Sequence, residues 1–228
     1  MHNFLPNFSF LSIDSTATNL LICPDQYVAT YSPNNTTGHV STRTYINIDY
    51  GYDAGGVAVC FNPKPNTIAV ILESPHSDEY EYINGILTPK GPLVGSWTDF
   101  EQFFHGAIQA SRLSSYISSS SVYNIAFVNA VQYQCSLGKV LYRNKINSAQ
   151  KDRNVINSWY SGFSNDLEKR LIALNPCMII DLSGKTQKIH EAIVAMIHTS
   201  KLNTCLFVSG MHPSRWKQQT ALARQLIQ

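Results

Sequence analysis

The sequence predicts an α/β fold: a three-layer α/β/α arrangement around a central, mainly parallel sheet, preceded by a small β-rich N-terminal elaboration. Three observations carry this. Apolar runs without alternation, rich in β-branched residues, occupy Thr67–Leu72, Val122–Val128, Met178–Leu182 and Thr204–Val208, the pattern of strands covered on both faces. Segments of helical period separate them, which is the strand–helix alternation of a parallel sheet. Several of the runs then stop abruptly at polar or ring-bearing residues, as strands do where they bring chemistry to the rim of an open sheet.

In chain order, residues 1–66 are rich in Asn, Thr, Ser, Tyr and Pro, with strand-like pieces at Tyr27–Tyr31, Thr44–Tyr50 and Val57–Phe61. The last two flank Gly51–Gly56 and read as a hairpin-like elaboration in front of the core. Thr67–Leu72 is the first core strand, and Pro75 forbids its continuation. A long loop with Gly85, Pro89, Gly91, Pro92 and Gly95 follows, of the kind that is usually functional inside a compact domain. Thr98 and Glu101 have capping-box spacing, and Phe100, Phe103, Phe104, Ala107, Ile108 and Leu113 give the helix that follows one apolar stripe. After Val122–Val128, a helix is predicted from about Asp152 to Leu174, closed by Pro176. Ser183–Thr186 opens the next helix, which runs through His190 to His198, and a final helix is predicted over Ser214–Leu226.

The 228 residues contain no dividing linker, so the chain reads as one domain, with the elaboration at 1–66 and the α/β core at 67–228. An apolar share of 44% supports a core, yet no apolar run approaches the length of a membrane span. The first residues, Met1-His2-Asn3-Phe4-Leu5-Pro6, have no basic or apolar leader segment, and a cytoplasmic monomer is expected. Cys23, Cys60, Cys135, Cys177 and Cys205 are scattered and odd in number, which argues against a disulfide frame or a cysteine-bound metal and for reduced, mostly core thiols.

Charge is segregated although the net value is only +2. Lys139, Arg143, Lys145, Lys151 and Arg153 oppose Asp152 alone, and after Glu191 come Lys201, Arg215, Lys217 and Arg224 with no acid. Glu73, Asp78, Glu79, Glu81, Asp99 and Glu101 form an acidic stretch, so a polyanion would approach over the two basic regions.

Three strand ends carry the candidate chemistry: Glu73-Ser74-Pro75-His76, Asn129, and His212-Pro213-Ser214. Gly184-Lys185-Thr186 looks like the end of a phosphate-binding loop, but Ile179 stands where that loop needs its first glycine. Ser74 lacks the flanking glycines of a nucleophile elbow. His76 with Glu79 or His212 has no metal-ligand spacing and no third ligand, so no metal is expected.

This ordered set resembles the uracil-DNA glycosylase superfamily, whose members place a Gly-Gln-Asp-Pro-Tyr or Gly-Glu-Ala-Pro-Gly motif after the first core strand, an Asn at the end of a middle strand, and a late His-Pro-Ser. Glu73-Ser74-Pro75 is most similar to the Glu-Ala-Pro form, Gly91-Pro92-Leu93-Val94-Gly95 to that branch's Gly-x-Pro-Phe-Val-Gly, and Leu182-Ser183-Gly184 to its aliphatic-glycine segment. The likeness covers residues 67–216 or so.

The resemblance implies a DNA glycosylase acting on a flipped-out uracil-like or modified pyrimidine, in base-excision repair or in defence against foreign DNA. A non-catalytic nucleic-acid-binding relative and a nucleoside N-glycoside hydrolase are the alternatives. Cleaving an N-glycosidic bond builds positive charge on the sugar and negative charge on the base. By resemblance, His212 donates to the departing base, Glu73 serves the sugar or the attacking water, and Asn129 reads the base edge. Ser74, Pro75, His76, Leu93 and Ser214 would line the base pocket, while Lys139, Arg143, Lys145, Arg215 and Lys217 would hold phosphates and Trp216 would stack or wedge.

The departures matter as much. Ser74 stands where the best-known branch has its water-activating Asp, and a neutral hydroxyl is no base at ordinary pH, so either Glu73 substitutes or catalysis is weak. Leu93 replaces the Phe that stacks on uracil, and His76 stands in place of a bulky Tyr, which suits a larger or modified pyrimidine. The Glu-Ala-Pro branch binds an iron–sulfur cluster through four cysteines; only Cys135 lies near a matching place, so no cluster and no other cofactor is expected.

Overall fold

The computed structural model describes residues 23–34, 38–75, 79–84, 86–89, 97–111, 113–132, 148–160, 164–183, 187–210, 212, 213, 216 and 223–227. The chain is mixed α/β. Its strands are β1 (Gln26–Ser32), β2 (His39–Val40), β3 (Ile46–Asn47), β4 (Tyr50–Tyr52), β5 (Ala58–Cys60), β6 (Thr67–Leu72), β7 (Tyr80–Ile83), β8 (Ile86–Pro89), β9 (Tyr123–Asn129), β10 (Met178–Asp181), β11 (Leu206–Gly210) and β12 (Ala223–Ile227). The helices are α1 (Trp97–Ala110), α2 (Ser148–Ser158), α3 (Ser164–Leu174) and α4 (Gln187–Thr199).

An eight-stranded sheet runs β12-β11-β10-β6-β9-β1-β2, with β3 also paired to β1. Its centre, β11-β10-β6-β9, is parallel, while β12 at one side and β1 at the other are antiparallel to their neighbours. All six residues of β6 are buried, as its unbroken apolar run requires.

Alternation along the strands feeds two separate cores. Ile68, Val70, Leu72, Ile125 and Phe127 pack with Phe100, Phe104, Ala107 and Ile108 of α1. Ala69, Ile71, Ala126 and Val128 pack with Val155 of α2, Leu167 and Leu171 of α3, and Ile189 and Ile193 of α4. Helices therefore cover both faces.

Several expectations are corrected. The C-terminal segment is not helical where it is described: β12 pairs antiparallel with β11, Phe207 opposite Ile227 and Val208 opposite Leu226. Its residues have helical propensity, but the ladder groups on the outer side of β11 supply a stronger competing interaction. The single helix expected over 152–174 is two, α2 and α3. Apolar spacing continued across Ser161-Gly162, where the breaker should have counted for more. The long loop after β6 contains the β7–β8 hairpin, and Asn84 has φ 52°, the left-handed conformation that an Asn-Gly hairpin turn uses. Helix α1 begins at Trp97, so Thr98 lies inside its first turn rather than capping it.

The strand expected at Tyr27–Tyr31 is β1, and it lies within the main sheet, antiparallel to β9. A hairpin does lie around Gly51–Gly56, but its first strand is β4, Tyr50–Tyr52, and of the strand expected over Thr44–Tyr50 the residues Ile46–Asn47 form β3, which pairs with β1 in the main sheet. Of the four described thiols only Cys23 is buried; Cys60 and Cys205 are half-buried and Cys177 is exposed, and all four are free. Cys135 lies outside the described residues. Among the described residues no helix is long and apolar enough to cross a membrane.

Candidate active site at the carboxyl ends of the parallel strands

From β6 the chain crosses to β9 on one side, then to β10 and β11 on the other. The sheet thus reverses its winding between β6 and β10. In open α/β sheets, ligands bind outside the carboxyl ends of the strands at such a switch point. Glu73 and Ser74 follow β6 there, Ser183 follows β10, Asn129 ends β9 one strand out, and His212 lies just past β11 on the far side. Strand spacing of about 4.8 Å puts roughly 14 Å of backbone between the first and last of these strand ends.

Local backbone bonds fix this rim. Leu72 and Asn129 are register partners, and the ladder runs on past both, with Ala130 N–H donating to the Leu72 carbonyl at 2.7 Å and Val131 N–H to the Glu73 carbonyl at 3.0 Å. Leu182 N–H donates to the Ile71 carbonyl at 2.8 Å. Glu73 is therefore held at the backbone while its side chain is half-buried; Pro75 and Pro213 are buried and His212 is half-buried.

Asn129 is the most constrained of the set. It is fully buried, and among the described residues neither its Oδ1 nor its Nδ2 has a hydrogen-bond partner. Its main chain, in contrast, is held from both sides. Asn129 N–H donates to Asp25 Oδ1 at 3.3 Å, and its carbonyl accepts from Arg170 Nη2 at 3.0 Å. Arg170 Nη1 meets Asp25 Oδ2 at 2.5 Å and its Nε meets Asp166 Oδ2 at 2.7 Å. Gln132 Nε2 and Tyr50 Oη donate to the same Asp25 carboxylate at 3.3 and 3.2 Å.

Burial pushes the Asp25 carboxyl above its ordinary range, and Arg170 pulls against that shift. Burial also opposes the Arg170 charge, but the Asp25 and Asp166 carboxylates outweigh it and hold the guanidinium protonated. Burial, and after it the negative charge of Asp25, keeps Tyr50 a neutral phenol well past its usual range.

Two further polar groups at the rim are buried without hydrogen-bond partners among the described residues, Ser74 Oγ and Ser183 Oγ. Beneath Ser183, the buried Asp181 carboxylate accepts Ser183 N–H at 2.9 Å and lies 2.7 Å from His190 Nδ1 on α4. Alternation puts Asp181 on the α4 face of the sheet and Asn129 on the α1 face.

The structure thus brings Glu73, Ser74, Pro75, Asn129 and His212 to one rim. Trp216 is a correction: it is 3% exposed and packs on Phe100 and Phe104 at ring separations of 5.7 and 6.3 Å, so its indole belongs to the core and presents no wedge. A large aromatic beside Pro213 is drawn into the α1 cluster by the apolar area it removes from water. His76, Leu93, Lys139, Arg143, Lys145, Ser214, Arg215 and Lys217 lie outside the described residues. Among the described residues no group of three or more His, Cys, Asp or Glu side chains is arranged to hold a metal ion.

Asp25, Arg170, Asp181 and His190 were not among the residues singled out by sequence. Arg170 did leave a signal: it sits beside Leu167 and Leu171 on the apolar stripe of α3, and a buried arginine demands a carboxylate. No protein-family model matches the chain, and no curated protein matches it, so the likeness to the glycosylases rests on the motifs alone.

Proposed function

We propose that the chain is a DNA glycosylase that hydrolyses the N-glycosidic bond of a flipped-out uracil-like or modified pyrimidine, in repair or in defence against foreign DNA. One observation carries the reading: the side-chain amide of Asn129 is fully buried at the switch-point rim with donor and acceptor both unused. An unsatisfied buried amide costs on the order of 1–3 kcal/mol, so it makes sense where a ligand completes it. An amide offers a donor and an acceptor side by side, the complement of a pyrimidine edge.

The flanking residues suit the rest of the reaction. As the C1′–N bond breaks, its electron pair leaves with the base and the sugar becomes cationic. His212, on the far side of the rim, is the donor to the base oxygen where the negative charge gathers. Glu73, next to the switch point, supplies the negative charge that stabilises the sugar cation and orients water for attack; the water oxygen bonds to C1′ as its O–H bond breaks, and the proton passes to the Glu73 carboxylate and from there to the departing base anion. Ser74 adds a hydroxyl whose Oγ has no protein partner. The Ser at this position, in place of an acid, leaves Glu73 as the carboxylate that directly follows β6.

The experiment is to incubate the purified protein with single- and double-stranded DNAs carrying uracil and a series of 5-substituted pyrimidines, and to identify released bases by mass spectrometry. Release of a free base from DNA is expected. DNA binding without release would favour the non-catalytic relative, and release only from free nucleosides would favour the small-molecule hydrolase.

A further inference from the structure

Strand β1 begins at Gln26, which is opposite Phe127, so at Asn129 the β1 ladder has already run out. The Asn129 N–H and carbonyl that face that side have no strand to bond. Asp25 and Arg170 take the strand's place, one accepting from the N–H and the other donating to the carbonyl, and they are joined to each other at 2.5 Å. Ala130 N–H is fixed on the opposite side to Leu72 of β6. The backbone at Asn129 is therefore clamped from both neighbours while its side chain stays unpartnered.

From this geometry we propose that the Asp25–Arg170 pair is a positioning device for Asn129: it fixes the direction of the amide, and so sets which pyrimidine edge the site accepts. This rests on the glycosylase reading. Stability alone explains the arrangement poorly, because the desolvation of a buried ion pair offsets most of its attraction and apolar residues of like volume often serve as well. Orientation explains it better. All three guanidinium nitrogens of Arg170 are committed, to Asp25, Asp166 and the Asn129 carbonyl. The Asp25 carboxylate accepts from four donors, those of Arg170, Tyr50, Asn129 and Gln132. An amide rotated or shifted by an ångström presents the wrong group to the base, and small misplacements of this kind cost large factors in discrimination.

The test is the ratio of release rates for the 4-oxo and 4-amino forms of one pyrimidine, whose Watson–Crick edges carry opposite donors and acceptors. Arg170→Lys keeps the charge and loses the fork; Asp25→Asn keeps the shape and loses the charge. Each is expected to reduce the wild-type preference by about tenfold. Tyr50→Phe removes one hydrogen bond to Asp25 without touching the pair, and is expected to give a smaller change in the same direction in a protein with a wild-type melting transition. Equal losses on both bases with the ratio unchanged, in Tyr50→Phe and in whichever pair variants fold, would overturn the proposal. A second readout is independent of turnover: the Asn129 side-chain amide resonances should move or broaden in these variants, and unmoved resonances overturn the proposal. Absence of base release by the wild type defeats the glycosylase reading instead, and the resonances still decide the positioning claim.

Discussion

At the scale of single residues, Glu73 and His212 are assigned different jobs from positions two strands apart along one rim. His212→Ala removes a donor whose bond strengthens as the base becomes anionic, so single-turnover excision should fall by roughly 10²–10³ while DNA affinity changes little. Glu73→Gln keeps size and hydrogen bonding but removes the charge, and excision should fall there too. Near wild-type rates for both variants, on a substrate that the parent cleaves, would leave the rim motif a structural one. Glu73 and His212 were legible because each interrupts or follows an apolar run at a fixed place. Asp25 was not, since its partner Arg170 lies 145 residues away in the chain and no local pattern joins them.

At the scale of elements, the tie between β1 and α1 has a pH signature. Tyr31 Oη lies 2.8 Å from His105 Nδ1, and Gly38 approaches the same imidazole so closely that an added Cβ would lie 1.9 Å from Nδ1. Burial lowers the His105 pKa from its ordinary 6.5, and burial together with the nearby Tyr123 pushes the Tyr31 hydroxyl up to about 12. Both shifts favour the neutral forms in the folded chain. Below about pH 6.5 the unfolded chain takes up a proton that folded His105 resists, so stability is lost as pH falls toward the folded value. Above about pH 10 the unfolded chain releases a phenolic proton that folded Tyr31 keeps until about 12, so stability is lost again across that interval. Denaturation midpoints measured across pH should show both limbs, with His105→Gln flattening the acid one and Tyr31→Phe the alkaline one; unchanged limbs would show that other groups dominate.

Elements also differ in how readable they were. The parallel strands β6, β9, β10 and β11 stood out because burial on both faces leaves an unbroken apolar run. Strand β12 did not, because Ala223-Arg224-Gln225-Leu226-Ile227 is locally a better helix than strand and only the neighbouring β11 makes it a strand. The β7–β8 hairpin was readable in principle from Asn84-Gly85, but the surrounding glycines and prolines drew the whole stretch into a loop.

At the scale of the whole molecule, charge is segregated along the sequence. The acidic residues of the rim segment and the basic residues of 139–153 and 201–224 are separated along the chain, and under the proposed function DNA would be met by the basic stretches. Replacing Lys139, Arg143 and Lys145 together should lower DNA affinity and flatten its salt dependence by about one unit of slope for each phosphate that the protein no longer neutralises. An unaltered slope would make that segment an ordinary solvated surface.

The clamp on Asn129 has a consequence for chain assembly. It is built from residues 25, 129, 166 and 170, so no contiguous half of the protein contains it. A polypeptide cut between Asn129 and Ser164 would carry a buried carboxylate on one piece and its matching guanidinium on the other, each a liability until they meet. Charge would then select the correct mate, and the Asn129 backbone would be clamped only in the rejoined molecule. In a growing chain, likewise, the clamp has no finished form until α3 has been synthesised and has docked.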